Sequence, residues 1–175
     1  MGATRELLGE TGFADLTVER VAERSGVHKT TIYRRWGSRA GLVGAALAAR
    51  GQQEVPIPDT GDLRADLAAI ARSVGDNLAS PLGRAMAQAL VGHADDPEIA
   101  GISEDFWGAR FAATAVVVER AVERGELPPD ADPRLAVELV VAAIWFRSIV
   151  TRETVADDLV ATVVEVIVGG LAGPG

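Results

Sequence analysis

Between residues 24 and 53 six side chains are cationic (Arg24, Lys29, Arg34, Arg35, Arg39 and Arg50) and none is acidic. A cationic cluster attracts a polyanion, and a short helix that carries one can enter a DNA major groove. Inside this window, GVHKTTIYRRWGSRAGL reads as a turn followed by a basic helix. Lys29 and Arg34 can donate to guanine O6 and N7, and Thr30 and Thr31 can hydrogen-bond a base edge or touch a thymine methyl. Tyr33 offers a hydroxyl to phosphate, a contact that positions a protein without specifying sequence. His28, at the start of the helix, can touch phosphate or cap the helix. Ser38 opens a further helix whose free N–H groups, with Arg39 beside them, make a second phosphate clamp. Charge alone is usually a solvated face. The glycine bend at Gly26 between two helices is what turns the reading toward DNA.

These residues need a helical frame, and the pattern is helical almost throughout. Proline and glycine sit at segment ends, and no Asn-Gly or Asp-Gly hairpin signal occurs. Helices are predicted near residues 3–11, 18–25, 29–35, 39–51, 62–79, 82–92, 97–124, 133–152 and 155–170. Thr17 and Ser38 can cap their helices through hydroxyl oxygens, and Asp62 opens the helix after a Pro- and Gly-bearing linker at 55–61. Asp96-Pro97 and Asp132-Pro133 place an acceptor before a first-turn proline. Thr154 with Asp157 resembles a capping box, and Gly169 with Gly170 are expected to end the last helix. Val21, Ala22, Val27 and Ile32 are spaced to share a small core between the second and third helices. The β-branched runs at 116–118, 140–141 and 163–164 suit strands, but they lie in segments of 15 residues or more without a turn signal, longer than ordinary strands.

Composition sets the class. The 175 residues include 48% apolar side chains, enough for a sizeable core. The net charge is −8, yet residues 1–50 hold eight cations against five acids and the remainder holds nine against twenty. The acidic part is repelled by phosphate, which orients the molecule on DNA. No cysteine is present, so disulfides and thiolate chemistry are excluded. The longest apolar run, residues 139–146, is far too short for a membrane span. The first residues do not read as a signal peptide, so a cytoplasmic location is expected.

Taken together, GFADLTVERVAERSGVHKTTIYRRWGSRAGLV (residues 12–43) resembles the N-terminal helix-turn-helix of TetR-type transcriptional regulators. The resemblance rests on Gly12-Phe13, Thr17-Val18, Val21-Ala22, Gly26-Val27, Thr31-Ile32-Tyr33, Trp36 where the family often has Phe, Ser38-Arg39 and Leu42. It implies an all-α fold, with a three-helix DNA-binding domain at residues 1–51 and a helical effector-binding and dimerisation domain at 62–175. It also implies a homodimeric repressor released from its operator by a small molecule. His28 stands where the family commonly has Ser or Thr, and Arg39 where it usually has Lys. Members of the family usually have a longer first helix with a basic arm before it; either the start of this protein lies upstream of Met1, or those contacts are absent.

In the acidic part, helix 133–152 is apolar almost all round. Helix 155–170 carries one apolar row at Val155, Leu159, Val163 and Val166 and another at Val160, Val164, Ile167 and Leu171. A surface helix needs one apolar stripe. The second stripe predicts a two-fold dimer through the last two helices, with Val155, Leu159, Val163 and Val166 in the interface. A ligand pocket is expected from Met86, Leu90, Phe106, Trp107, Phe111, Trp145 and Phe146, with His93 nearer the surface. The same residues also suit an ordinary core.

The inventory does not suit an enzyme. Two histidines lie far apart, and no HExxH, phosphate loop or Gly-x-Ser-x-Gly occurs. No metal or cofactor is expected. The reading is therefore a ligand-responsive homodimeric repressor bound to a palindromic operator. A helical protein-interaction module whose basic patch binds an acidic partner is the alternative, as is an effector-independent DNA-binding activator.

Overall fold

The computed structural model describes residues 1–51 and 57–172, with the side chains of Arg50 and Gly51 excepted. Residues 55–56 of the expected linker, residues 173–175 and the Arg50 side chain lie outside what is described. The described residues are helical and contain no strand: α1 (Gly2–Thr11), α2 (Val18–Ser25), α3 (Lys29–Trp36), α4 (Arg39–Gly51), α5 (Leu63–Ala79), α6 (Pro81–Gly92), α7 (Pro97–Glu123), α8 (Pro133–Trp145) and α9 (Asp157–Leu171). A π-helical turn, Phe146–Val150, extends α8. The β-branched runs are all helical. No described helix is long and apolar enough to cross a membrane.

The helix starts follow their side-chain chemistry. Thr17 accepts from the Arg20 N–H, Ser38 from Gly41, and Ser80 from Gly83. Asp62, Asp96 and Asp132 each accept two first-turn N–H groups. Each such cap is worth about 1 kcal/mol relative to alanine. The cap expected at Thr154 is absent. Helix α9 begins two residues later, after Ala156, with Asp157 and Asp158 in its first turn where negative charge meets the positive helix end. Gly169 and Gly170 do not end α9, which runs on to Leu171 with both glycines exposed. The predicted helix at 133–152 loses its α geometry at Phe146. The Thr151 N–H bonds the Phe146 carbonyl in π register, and Arg152 turns the chain at φ 59°.

The chain packs as two compact units that do not follow the sequence order. One comprises residues 1–54 and 78–107, the other residues 55–77 and 108–175. In the first unit α1 packs on α2, α4 and α6, and α3 packs on α2 and α4. Its core joins Leu7, Leu8, Phe13, Leu16, Val21 and Ile32 to Leu42, Val43, Met86, Leu90 and Ile99. Each fully buried side chain of this size contributes about 1.5–3 kcal/mol. Val27 is not part of it. It lies in the turn ahead of α3 and is 40% exposed, so Ile32 and Val21 carry the contact between α2 and α3.

The second unit is centred on Leu63, Leu67, Ile70, Val117, Val118, Val137, Val140, Ile144, Val160, Val164 and Val168, all buried. The described end of the linker is fastened to it. Thr60 donates from its N–H and its hydroxyl to Asp66 Oδ1 at 2.9 and 2.7 Å, and Asp59 pairs with Arg120 at 3.3 Å.

One glycine of α4 is required by close approach. A Cβ added at Gly41 would run into the Trp36 carbonyl oxygen. Gly41→Ala must therefore move the end of α3 or the start of α4. It is expected to cost about 2–4 kcal/mol, read as a loss of thermal stability and of DNA binding together.

Candidate nucleic-acid interface

Helix α3 is placed by one side chain. Ile32 is buried at 2%, while residues 28–31 and 33–35 are exposed around it. The bend that presents the helix is made at Gly26, which closes α2 at φ 68° and ψ 10°, a conformation a glycine adopts without a Cβ clash. The Ser25 hydroxyl accepts from the Val27 N–H and steadies the turn. Three exposed residues at the amino end (Lys29, Thr30 and Thr31) and two further along (Tyr33, 45% exposed, and Arg34) form one polar face. That is the arrangement a recognition helix needs, since its N-terminal side chains are the ones that reach base edges.

The six cations of the basic window are not equivalent. Arg24 makes a fork on the Glu10 carboxylate at 3.0 and 2.9 Å and also meets Glu6 at 3.5 Å. That hydrogen-bonded pairing holds the Glu10 carboxyl below the ordinary carboxylate range and raises the Arg24 guanidinium. Arg35 stacks over the Trp36 ring at 5.0 Å. Arg39 lies over the Phe13 ring at 4.1 Å and donates to the Ala14 carbonyl at 3.4 Å. Lys29 and Arg34 are exposed and make no such contact among the described residues. Arg24→Ala is accordingly expected to leave the salt dependence of DNA affinity unchanged. Arg34→Ala is expected to cost about 1–3 kcal/mol at the preferred sequence and to relax the preference at one base position. Titrations with specific and random duplexes at several salt concentrations check both.

The clamp expected at the start of α4 is only partly open. Ser38 accepts from the Gly41 N–H and donates its own hydrogen to the Glu98 carboxylate at the start of α7. Nothing in the spacing of Ser38 and Glu98 signals this contact, which spans 60 residues. Phe13 is the other unforeseen part. It is buried, with Arg39 on one side and the His93 ring edge-on at 4.5 Å. His93 is therefore half-buried at the end of α6 and not a loose surface group.

The residues expected to line a ligand pocket are divided between the two units. Met86 and Leu90 are 3% and 5% exposed in the core beneath the helix-turn-helix, with Phe106 packed against them. Trp107 meets Phe106 edge-on at 5.2 Å in the same unit. Phe111, Trp145 and Phe146 belong to the second unit. There Arg134 covers Phe111 at 5.3 Å, and Phe146 is 59% exposed. Arg110, in the second unit, is half-buried, and desolvation pulls its pKa down. Among the described residues no group of three or more His, Asp or Glu side chains is placed to hold a metal ion.

The expected interface row on α9 is also divided. Val155 packs against α5 at Gly75, while Leu159 and Val163 are half-buried and Val166 is 67% exposed. Val166 borders an open apolar groove of about 490 Å³ between α8 and α9, formed by Leu139, Ala143, Thr162, Val163, Ile167 and Leu171 among others. Along α8 and its π turn, Leu135, the groove residue Leu139, Phe146 and Val150 are exposed at 45, 45, 59 and 63%.

Two family models match the sequence. Residues 1–46 match the bacterial regulatory proteins of the tetR family, and residues 57–167 match the tetracyclin repressor-like C-terminal domain. The chain is 36% identical over 137 residues to the HTH-type transcriptional regulator AqdR of Rhodococcus erythropolis, covering 78% of this chain and 66% of that protein. It is 33% identical to the DNA-binding transcriptional repressor TetR of Mycobacteroides abscessus, over 81% of this chain and 76% of that one. Among solved structures, the TetR family transcription regulator SCO0332 superposes with a TM-score of 0.79 at 35% identity, covering 96% of this chain and 93% of its own.

Proposed function

We propose, because this chain belongs to the TetR family of bacterial transcriptional regulators, that it is a homodimeric repressor. In this reading it holds a palindromic operator in the cytoplasm until a small-molecule effector binds its second unit. The observation that carries the reading is the face of α3, where Ile32 alone is buried and Lys29, Thr30, Thr31, Tyr33 and Arg34 stand in solvent. His28, Ser38 and Arg39 complete the surface. His28 and Ser38 fix the starts of α3 and α4, and Arg39 holds the loop at Phe13 and Ala14.

The apolar surface of α8, its π turn and α9 supports the homodimer. Leu135, Leu139, Phe146, Val150 and Val166 are all exposed in the protomer, and Leu139 and Val166 line one apolar groove, the kind of surface that marks an interaction site. A second copy across a two-fold axis covers it with the same residues. Two recognition helices so related read half-sites whose centres lie about 34–36 Å apart.

For the effector, Phe111, Trp145 and Phe146 are the residues of the expected lining that belong to the second unit. Helix α7 contributes residues to both units. An effector that binds one arrangement of α7 more tightly shifts the population toward it, and the affinity for DNA changes by the same coupling factor.

The test is recovery of DNA from sheared genomic fragments by the purified protein. The recovered sequences should share one inverted repeat of this spacing. Fragments without a common repeat, or no retention at low salt, would remove the reading. Retention of an acidic protein in place of DNA would support an interaction module instead.

A further inference from the structure

We infer that His28 sets the base preference of the recognition helix at the position read by Thr30, by holding the Thr30 hydroxyl proton. Thr30 then meets a base only as a hydrogen-bond acceptor. The inference rests on the reading that α3 enters the major groove, and it assigns a role that this reading does not require.

The ring of His28 folds over the first turn of α3. Its Nδ1 lies 2.9 Å from Thr30 Oγ1 and 3.5 Å from the Thr30 backbone nitrogen. A backbone N–H can only donate, so we assign Nδ1 its lone pair and place the ring proton on Nε2. In that tautomer the hydrogen of the 2.9 Å contact comes from the Thr30 hydroxyl, the nearer of two donors that share the one Nδ1 lone pair. A threonine has one such proton. Thr30 therefore keeps only lone pairs and its methyl group for anything outside the protein. Both residues are exposed, and Thr30 is the second residue of α3.

An unconstrained threonine hydroxyl rotates to donate or accept, and so discriminates poorly between bases. Fixed as an acceptor, it pairs with the major-groove amino groups, adenine N6 or cytosine N4. Guanine O6 and thymine O4 present lone pairs to lone pairs. Every base pair has an amino and a carbonyl edge in this groove, so the device reads which strand carries which. A serine at position 28 would also cap α3, but through an oxygen that carries its own proton and imposes no direction on Thr30. His28 is thus a positioning residue that acts through Thr30.

The experiment is selection from a randomised duplex pool by the full-length protein and by His28→Ser, His28→Asn and Thr30→Val, each pool sequenced. The wild type should prefer an amino base over a keto base at one half-site position by about fivefold, the worth of one hydrogen bond of about 1 kcal/mol. Thr30→Val should flatten that same position. His28→Ser should flatten it too, while other positions hold. His28→Asn, whose amide oxygen can only accept, should restore it.

An even loss of affinity in His28→Ser, with the preference intact, would reduce His28 to a cap and overturn the inference. So would a wild-type palindrome in which the position altered by Thr30→Val shows no amino preference; the DNA-binding reading would survive either result. A wild type that enriches no sequence would take both down.

Discussion

A protein carrying Leu139→Glu and Val166→Glu together is expected to sediment as a monomer and to lose operator affinity by about 10²–10⁴-fold. In the protomer both side chains are already 45% and 67% exposed, so the substitutions should change its own stability by no more than about 0.5 kcal/mol. In a two-fold contact between α8–α9 surfaces, the same changes bury four carboxylates without partners, each costing several kcal/mol. The affinity loss follows from arithmetic, not from any change at the DNA surface. Two linked half-site contacts gain about 10²–10⁴ over one through effective concentration, and a monomer forfeits that gain. Sedimentation, thermal unfolding and a binding titration separate the steps. A double variant that stays dimeric moves the interface elsewhere. A monomer that keeps full affinity removes the need for a dimer.

Lys29→Ala with Arg34→Ala is expected to cut the preference for operator over random DNA by about 30-fold to 10⁴-fold, from one to three kcal/mol per base contact. The stability of the protein should stay within about 0.5 kcal/mol of wild type, because surface substitutions away from packed or paired groups rarely do more. These two side chains are chosen because they extend from the exposed face of α3 and are not committed to a carboxylate or ring among the described residues. Arg24, Arg35 and Arg39 are so committed, to Glu10, Trp36 and Phe13. Competition titrations with specific and random duplexes measure the ratio. A double variant that weakens binding to both duplexes equally would make Lys29 and Arg34 phosphate contacts, and the reading of bases would pass to Thr30 and Thr31.

The helices were legible because their signals are local. Thr17, Ser38, Asp96 and Asp132 announce helix starts through an oxygen and the spacing to free N–H groups, and the structure uses all four in that way. The exposed face of α3 followed from Ile32 being its one apolar residue at the right spacing. What the sequence did not carry was partnership across distance. Six cations in a window look alike until Glu6 and Glu10 on α1 reach Arg24, and until Phe13 takes Arg39.

The same limit explains the pocket residues. Met86 and Leu90 have the apolar character of a lining, but α6 packs on α1, which places them in the first core. Apolar periodicity tells which face of a helix is covered, not what covers it. Gly41 was silent for a related reason, since only the return of α4 past the Trp36 carbonyl shows that a Cβ cannot fit. The π turn after Trp145 is a backbone choice at the end of an apolar run, with no residue type to mark it.

One exposed helix face, α3, is proposed to read duplex DNA in two copies. The most direct measurement is the affinity of the full-length protein for an inverted-repeat fragment and for a random duplex of equal length, across a salt series beginning at low ionic strength. Log affinity should fall linearly with log salt for both duplexes, with the inverted repeat held about 10³-fold or more tighter throughout. Equal affinity for the two duplexes, or no binding at the lowest salt, would contradict it.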